Sequence, residues 1–415
     1  MKKNKFLNRV IVRTMALLLG GWLAEVALAE EPPTAEQMWK IIQQQQQTID
    51  ELKARLEKTD QKVEVTQEEV AANTEAVEEV EATAAEGSAW ANTTSVGGYG
   101  ELHYNNLDGK TDSVDFHRFV LFFDHEFTDD FSFFSELEIE HAFSGDGKPG
   151  EVELEQAFVE YDINPNHHLL AGLYLVPTGI INETHEPPTF YGVERNVVEK
   201  NIIPATWWEA GLGFKGEMAP GWKYDLMLSS GLETSAGAAY KIRSGRKKVA
   251  KAPGEDGAIT ARIRYTGIPG LELALSGQHQ MDLTQGAEDI SANLLEAHAD
   301  FQRNGFGLRA LYASWWLDDG PALTGPAALG ADRQDGFYVE PSYKFRVPRG
   351  EAGFFARYQQ WNNKSGSNGG DDSEQIDVGL NYWPVEDVVF KFDYQFQNEE
   401  AGDHDGFNLG VGYQF

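Results

Sequence analysis

Cysteine is absent from all 415 residues. That excludes a disulfide scaffold and any metal site built on thiolates. Basic residues are scarce too: 34 Lys and Arg stand against 66 Asp and Glu, a formal net charge of −32. Binding DNA or RNA in general needs basic surface to displace counterions, so nucleic acid is excluded as a partner. Long apolar runs are also missing. The best of them, Met15–Leu23, is too short to cross a bilayer as a helix. There is no Gly-x-Ser-x-Gly elbow and no closely spaced His/Asp/Glu set of a zinc enzyme, so neither catalysis nor a cofactor is expected. None of these absences touches a membrane β-barrel, whose strands hide their apolar half in alternation.

What is present falls into three parts. Residues 1–29 carry Lys2, Lys3, Lys5, Arg9 and Arg13, then the short apolar run, then a small-x-small site at Ala27–Ala29. This pattern reads as a signal peptide and predicts export. In residues 30–92 the apolar period is helical: Ile42, Ile49, Leu56, Val63, Val70 and Val77 recur every seven residues, with a more polar second position through Met38, Gln45 and Leu52. That is a heptad seam, and it predicts a coiled coil about 70 Å long.

From residue 93 onward the period is two. Alternating stretches between turn signals give sixteen strands, at 94–106, 114–127, 130–143, 151–162, 166–176, 208–217, 221–230, 257–267, 270–280, 292–303, 305–316, 335–346, 351–361, 373–383, 387–397 and 406–415. Every second connection is tight, as in "NPN" at 164–166, "GIPG" at 267–270 and "RNG" at 303–305. The others are long, above all 177–207 and 231–257. Short turns on one rim and long loops on the other predict an all-β membrane protein, a 16-stranded antiparallel transmembrane barrel over residues 93–415. A ring of that size encloses an aqueous channel.

The alternation also assigns faces. Phe131, Phe133, Leu137 and Ile139 face outward, as do Val388, Phe390, Phe392, Tyr394 and Phe396. Lys and Arg cost about 2–4 kcal/mol on the lipid face at mid-depth, so the charged phase must face the lumen. That phase puts Glu136, Glu138, Glu140, Glu151, Glu153 and Glu155 on one wall. Arg118, Arg262, Arg264, Arg309, Arg357 and Lys391 are also inward, and Lys344 lies across from the acidic strands. An acidic wall opposite a basic wall is expected to set selectivity at the narrowest point. One loop, "YKIRSGRKKVAK", gathers Lys241, Arg243, Arg246, Lys247, Lys248 and Lys251, a basic mouth that would attract anions.

The blocks "GGYGELHYN", "DFHRFVLFFDHEFTDDFSFFSELEIEHAF", "ELEQAFVEYDINPNHHLLAGLYLVPTGI" and the closing "GVGYQF" resemble the phosphate-selective porin family of Gram-negative outer membranes. The resemblance implies a trimeric porin with its third loop folded into the channel. It also implies that Phe415 is a signal read by the barrel-assembly machinery. Loop 177–206 would then form the constriction with His185, Arg195, Lys200, Glu194 and Glu199. It departs from the family in carrying many acids where arginine and lysine are expected. The N-terminal coiled coil is similar in placement to periplasmic extensions of some sugar-specific porins.

The function expected is passive diffusion of small hydrophilic solutes, anions and phosphate-like ions foremost, across the cell outer membrane, with the coiled coil in the periplasm. The partners expected are membrane lipid, lipopolysaccharide and two further copies of the chain. The alternative is an envelope tether, in which the barrel is an anchor and residues 30–92 contact peptidoglycan. The acidic stretches Asp371–Asp372 and Asp403–Asp405 are candidates for Ca²⁺.

Overall fold

The computed structural model describes residues 93–415, apart from 146, 148, 371, 400 and 401, together with scattered positions between 36 and 58. The signal segment and most of the heptad region lie outside the described residues. The described positions in 36–58 are helical and exposed, Met38, Trp39 and Ile49 among them. The chain divides into two units, Met1–Glu86 and Gly87–Phe415. Among the described residues no helix is long and apolar enough to cross a membrane.

The second unit is a closed antiparallel barrel of sixteen strands. In chain order these are β1 (Thr94–Leu107), β2 (Ser113–Thr128), β3 (Phe131–Glu140), β4 (Val152–Asn164), β5 (His167–Leu175), β6 (Trp208–Ala219), β7 (Trp222–Ser229) and β8 (Ala258–Ile268). The second half comprises β9 (Leu271–Gln280), β10 (Ala292–Arg303), β11 (Phe306–Leu317), β12 (Arg333–Arg346), β13 (Glu351–Asn362), β14 (Ser373–Val385), β15 (Val388–Asn398) and β16 (Gly406–Gln414). The ring closes where β1 pairs with β16, from Tyr99 opposite Gln414 to Leu107 opposite Gly406. Phe415 extends the ladder by two backbone bonds to Gly98, at 2.9 and 3.0 Å. No strand edge is left open, as a hydrocarbon environment requires.

Connections alternate as the turn signals predict. Two residues suffice at 129–130, 165–166, 220–221, 269–270, 304–305 and 386–387, all on one rim. The other rim carries the long loops 176–207 and 230–257.

Polarity runs inside out relative to a water-soluble barrel. On β14 Ile376, Val378 and Leu380 are exposed on the outer face, while Gln375, Asp377 and Asn381 are buried on the inner one. On β15 the outer Phe390, Phe392 and Phe396 alternate with Lys391, Asp393 and Gln395. Aromatic pairs gather at the tight-turn rim: Phe131–Tyr161, Trp222–Tyr265 and Phe306–Tyr343 have ring centroids 4.6 to 4.7 Å apart. Amphipathic rings at one level of a barrel mark the edge of its apolar band.

Two of the register shifts, both away from the tight turns, re-aim side chains into the lumen. Glu101 pairs with Arg118, but His103 pairs with Asp115, so Leu102 stands opposite both Phe116 and His117. On β4, Glu155 is the extra residue between partners of Glu136 and Leu137. A bulge puts two successive side chains on one face. Here it turns His117 and Arg118, and likewise Glu155 and Gln156, into the lumen.

The hydrophobic core sits inside the barrel. Toward the long-loop rim, inward Leu294, Leu311, Ala313, Trp315 and Tyr338 pack with Val198, Ile202, Ile203 and Trp207 of loop 176–207. Leu232, Tyr240 and Ile242 of loop 230–257 and Leu283 and Ile290 of loop 281–291 complete the cluster. This corrects the expectation of a wet lumen all round. The inward phase of β10 to β12 is apolar in its outer half because folded-in loops dry it.

Candidate functional site

Loop 176–207 crosses the lumen, and its own polar groups explain why it stays there. Asn182 closes its base. The side chain donates to Val176 O at 2.8 Å and Trp207 O at 3.0 Å, and accepts from Trp207 N at 2.6 Å. Its centre is a short helix, α1 (Val197–Asn201), capped by Asn196, whose side chain accepts from Glu199 N at 2.7 Å. Glu199 is 1% exposed and accepts four hydrogen bonds. These come from Ile180 N (2.8 Å), Ile181 N (2.7 Å), Asn196 Nδ2 (3.1 Å) and Tyr338 Oη of β12 (2.8 Å). Burial raises the pKa of its carboxyl. Gly179 has φ 74°, and a Cβ there would lie 2.6 Å from Glu199 Oε2, so glycine is required. Glu199 therefore fastens the loop and also lines the long-loop cavity.

The inward arginines are also fasteners. Arg357 pairs with Asp377 at 2.7 Å and Glu340 at 3.1 Å, and donates to Tyr191 O and Glu194 O of the loop. Arg309 pairs with Asp300 at 2.9 Å and reaches Thr189 O at 3.2 Å. Arg262 binds Asp225 at 2.9 Å and Glu183 of the loop. Burial opposes ionisation of Glu183, but the Arg262 guanidinium prevails and lowers its pKa. Arg264 stands 3.6 Å from Asp225, and Arg118 2.8 Å from Glu101 and 3.6 Å from Glu138. A planar fork with five donors suits bridging wall carboxylates to loop carbonyls. All five arginines lie on the lumen face, but an uncompensated basic wall is not what they form. Lys344 likewise pairs with Glu351 at 2.7 Å.

Lys391 differs. Its ammonium is buried without a hydrogen-bond partner and lies 3.4 Å over the Phe190 ring. Asp393, two residues on, accepts instead from Val193 N of the loop.

The acidic wall is covered by side chains from two loops. His185 lies 3.4 Å from Glu136 and 3.8 Å from Glu155. Lys248 binds Glu151 at 2.6 Å and also Glu153. Glu140 lines the same space. The basic loop 240–251 folds inward at Arg243, which donates to Lys200 O and Ala205 O, and at Arg246, which donates to Thr206 O. Arg195 donates to Thr206 Oγ1 at 2.6 Å. Lys247 pairs with Glu233, while Lys241 and Lys251 are exposed.

Two cavities flank the inward loop. One of about 780 Å³ opens on the long-loop side and is lined by His103, Glu138, Glu194, Arg195, Lys200, Arg243, Arg246 and Lys248, among others. The other, about 540 Å³, lies on the tight-turn side between Phe190, Tyr191, Arg309, Glu340 and Trp383. Burial pushes Tyr191 up to about 12, so its hydroxyl stays neutral.

Asn182, Tyr338, Asp377 and Asp393, which hold the loop, carry no local sequence signal. His103 shares the inward phase of Tyr99 and Glu101 and was legible. His117 was hidden by the bulge. Of the acidic stretches, Asp372 accepts from Asn362 at 3.0 Å and Asp405 from Gln397 N at 2.9 Å, while Asp371 lies outside the described residues.

A closed barrel of sixteen strands, apolar outside, polar inside and crossed by a long inward loop, has the fold of the outer-membrane porins. OmpF of Salmonella typhi, in complex with daunomycin, superposes with a TM-score of 0.56 at 14% identity, covering 78% of this chain and 97% of that one. An anion-selective porin from Comamonas acidovorans gives 0.56 at 11%, covering 78% and 99%. The outer-membrane channel DcaP of Acinetobacter baumannii gives 0.53 at 14%, covering 78% and 97%. No family model matches the chain. An uncharacterised protein of Aquifex aeolicus (strain VF5) is 30% identical over 355 residues, 77% of this chain and 80% of that one. The chain belongs to the same family as that protein.

Proposed function

We propose that the chain is an outer-membrane porin through which small hydrophilic solutes, anions by preference, diffuse passively past the inward loop. The observation that carries this reading is a set of cations along the cavities. Arg195, Lys200, Arg243 and Arg246 line the long-loop cavity and make no ion pair with a carboxylate among the described residues; the three arginines contact backbone carbonyls and a hydroxyl, and Lys391, buried over the Phe190 ring, is likewise without an ion pair. Buried Nε atoms of Arg195 and Arg246 and Nζ of Lys391 have no hydrogen-bond partner. Cations without a carboxylate partner beside a narrow polar passage favour a passing anion. In this reading the long loops face the exterior and the tight turns the periplasm. The heptads of residues 30–92 would join three copies there, and phosphate-like ions fit the arginine-rich vestibule.

The test is the reversal potential of the purified protein in a planar bilayer across a potassium chloride gradient. A chloride preference is expected. A clear potassium preference would overturn the anion reading, and absence of any conductance would overturn the porin reading. Deleting residues 30–92 separates the tether alternative, since a porin keeps its conductance without them.

A further inference from the structure

Three histidines that the transport reading leaves unused meet at the long-loop cavity. His103 comes from β1, His117 from β2 and His141 from the residue just past β3. The His103 and His117 rings are stacked with centroids 4.8 Å apart, and the His117 and His141 rings meet edge-on at 5.4 Å. Asp115 lies between the last two: its carboxylate is 2.9 Å from His117 Nδ1 and 2.8 Å from His141 Nδ1. Glu194, on the inward loop, is 3.1 Å from His103 Nδ1. Two sets of three ligand atoms result, Asp115–His117–His141 and His103–His117–Glu194, each with all atoms within 4.8 Å and with His117 in common.

We propose that these residues form a binding site for a divalent first-row transition-metal ion, such as Zn²⁺ or Cu²⁺. A tetrahedral ion with bonds of about 2.0–2.1 Å needs ligand atoms roughly 3.3 Å apart, close to the spacings here. Imidazole nitrogens with carboxylate oxygens select such ions over Ca²⁺ or Mg²⁺. The outer support is also in place. His103 Nε2 is 3.1 Å from Glu101, which is itself held by Arg118 at 2.8 Å. A ligating histidine usually gives its other ring N–H to such a carboxylate, which fixes the tautomer and the ring.

Two backbone irregularities bring the ligands together. The β2 bulge turns His117 inward beside Arg118. His141 has φ 47°, a left-handed conformation at the strand end. Asp115, His117 and His141 are each about a quarter to a third exposed to the cavity, so an ion has a way in. Because Glu194 belongs to the inward loop, a bound ion would join the loop to the β1–β2 wall.

The site is tested on the full-length protein in detergent, where binding is read without any transport. Zinc titrated by calorimetry should give one ion per chain, and the Cu²⁺ complex should show nitrogen hyperfine structure in its paramagnetic resonance spectrum. His117→Ala removes the shared ligand. It should weaken binding by more than the roughly 10- to 100-fold typical of losing an outer partner. His141→Asn removes an imidazole while tolerating the left-handed backbone, and should simplify the hyperfine pattern even if His117→Ala fails to assemble. His168→Ala, at the Glu160–Asp162–His168 group on the tight-turn side, should change nothing. Binding that survives both His117→Ala and His141→Asn, that is lost in His168→Ala, or that is absent from the parent protein would overturn the proposal.

Discussion

Glu199→Ala should unfasten the inward loop while leaving the barrel closed. The side chain is 1% exposed and takes four donors, of which Ile180 N and Ile181 N have no other partner once it is gone. Each buried donor left unpaired costs about 1–3 kcal/mol, so the two together cost about 2–6 kcal/mol. At 1.4 kcal/mol per decade, the equilibrium for opening the loop moves by roughly 30-fold to over 10,000-fold. The strand ladders are untouched, because Glu199 touches the wall only through Tyr338. Single-channel recording reads the difference: the parent should give a steady current, and Glu199→Ala brief excursions to higher conductance. Glu199→Gln keeps one acceptor oxygen and should lie between them. Heat-dependent migration on gels, which reports barrel closure, should be the same for all three. A Glu199→Ala current with the same level and noise as the parent would refute the assignment of Glu199 as the loop fastener.

Lys391→Met removes one buried, unpartnered amine from the lumen wall. The chloride-to-potassium permeability ratio should therefore fall in a bilayer, and an unchanged ratio would show that Lys391 plays no part in selectivity. Arg246→Gln with Lys248→Gln should weaken anion entry at 0.01 M salt but not at 1 M, where the screening length shrinks from about 30 to 3 Å; an effect independent of salt would rule out steering. Burial of Asp282 in loop 281–291 works against its ionisation, but Thr284 N and Oγ1, Gly286 N and Ile290 N prevail and hold its pKa below the usual value. A depressed acid stabilises the fold above its unfolded pKa of about 3.9 and loses that effect as pH falls through the folded value. Protection of the amides of residues 283–290, corrected for their intrinsic exchange rates, should therefore fall below about pH 4, and Asp282→Asn should remove that pH dependence.

The barrel was legible because its two signals are local and repeated. Alternation needs only neighbours, and the tight turns recur at every second connection, so β15 and β16 could be read from "VVFKFDYQF" and "GFNLGVGYQF". The site was less legible because it is built from pairs far apart in sequence. Nothing near Arg357 announces that Asp377, twenty residues on, and the carbonyl of Tyr191, 166 residues back, will share its guanidinium. The apolar filling of the outer lumen was hidden for another reason. Period two tells which residues share a face, but the sign of each face was set by the lipid side alone. Leu294, Leu311 and Trp315 are inward and dry only because loops from elsewhere in the chain cover them. Bulges at His117 and Glu155 shift the phase by one residue, which no count of alternating positions can place.

The total charge of −32 argues for a cation path, yet it is a poor guide to this lumen. Screening limits the reach of an exposed charge to about 8 Å at physiological ionic strength. Fifteen of the acids fall in residues 30–93, outside the barrel strands. Within the lumen many carboxylates are paired: Asp377 and Glu340 with Arg357, Asp225 and Glu183 with Arg262, Glu151 and Glu153 with Lys248. A paired carboxylate presents a dipole to a passing ion, and its field dies off faster than that of a lone charge. Arg195, Arg243, Arg246 and Lys391 spend their donors on neutral carbonyls, a hydroxyl and a ring, so no carboxylate among the described residues pairs with them. The sign of selectivity thus turns on which charges along the cavities lack a partner, and the unpaired cations there belong to the two inward loops.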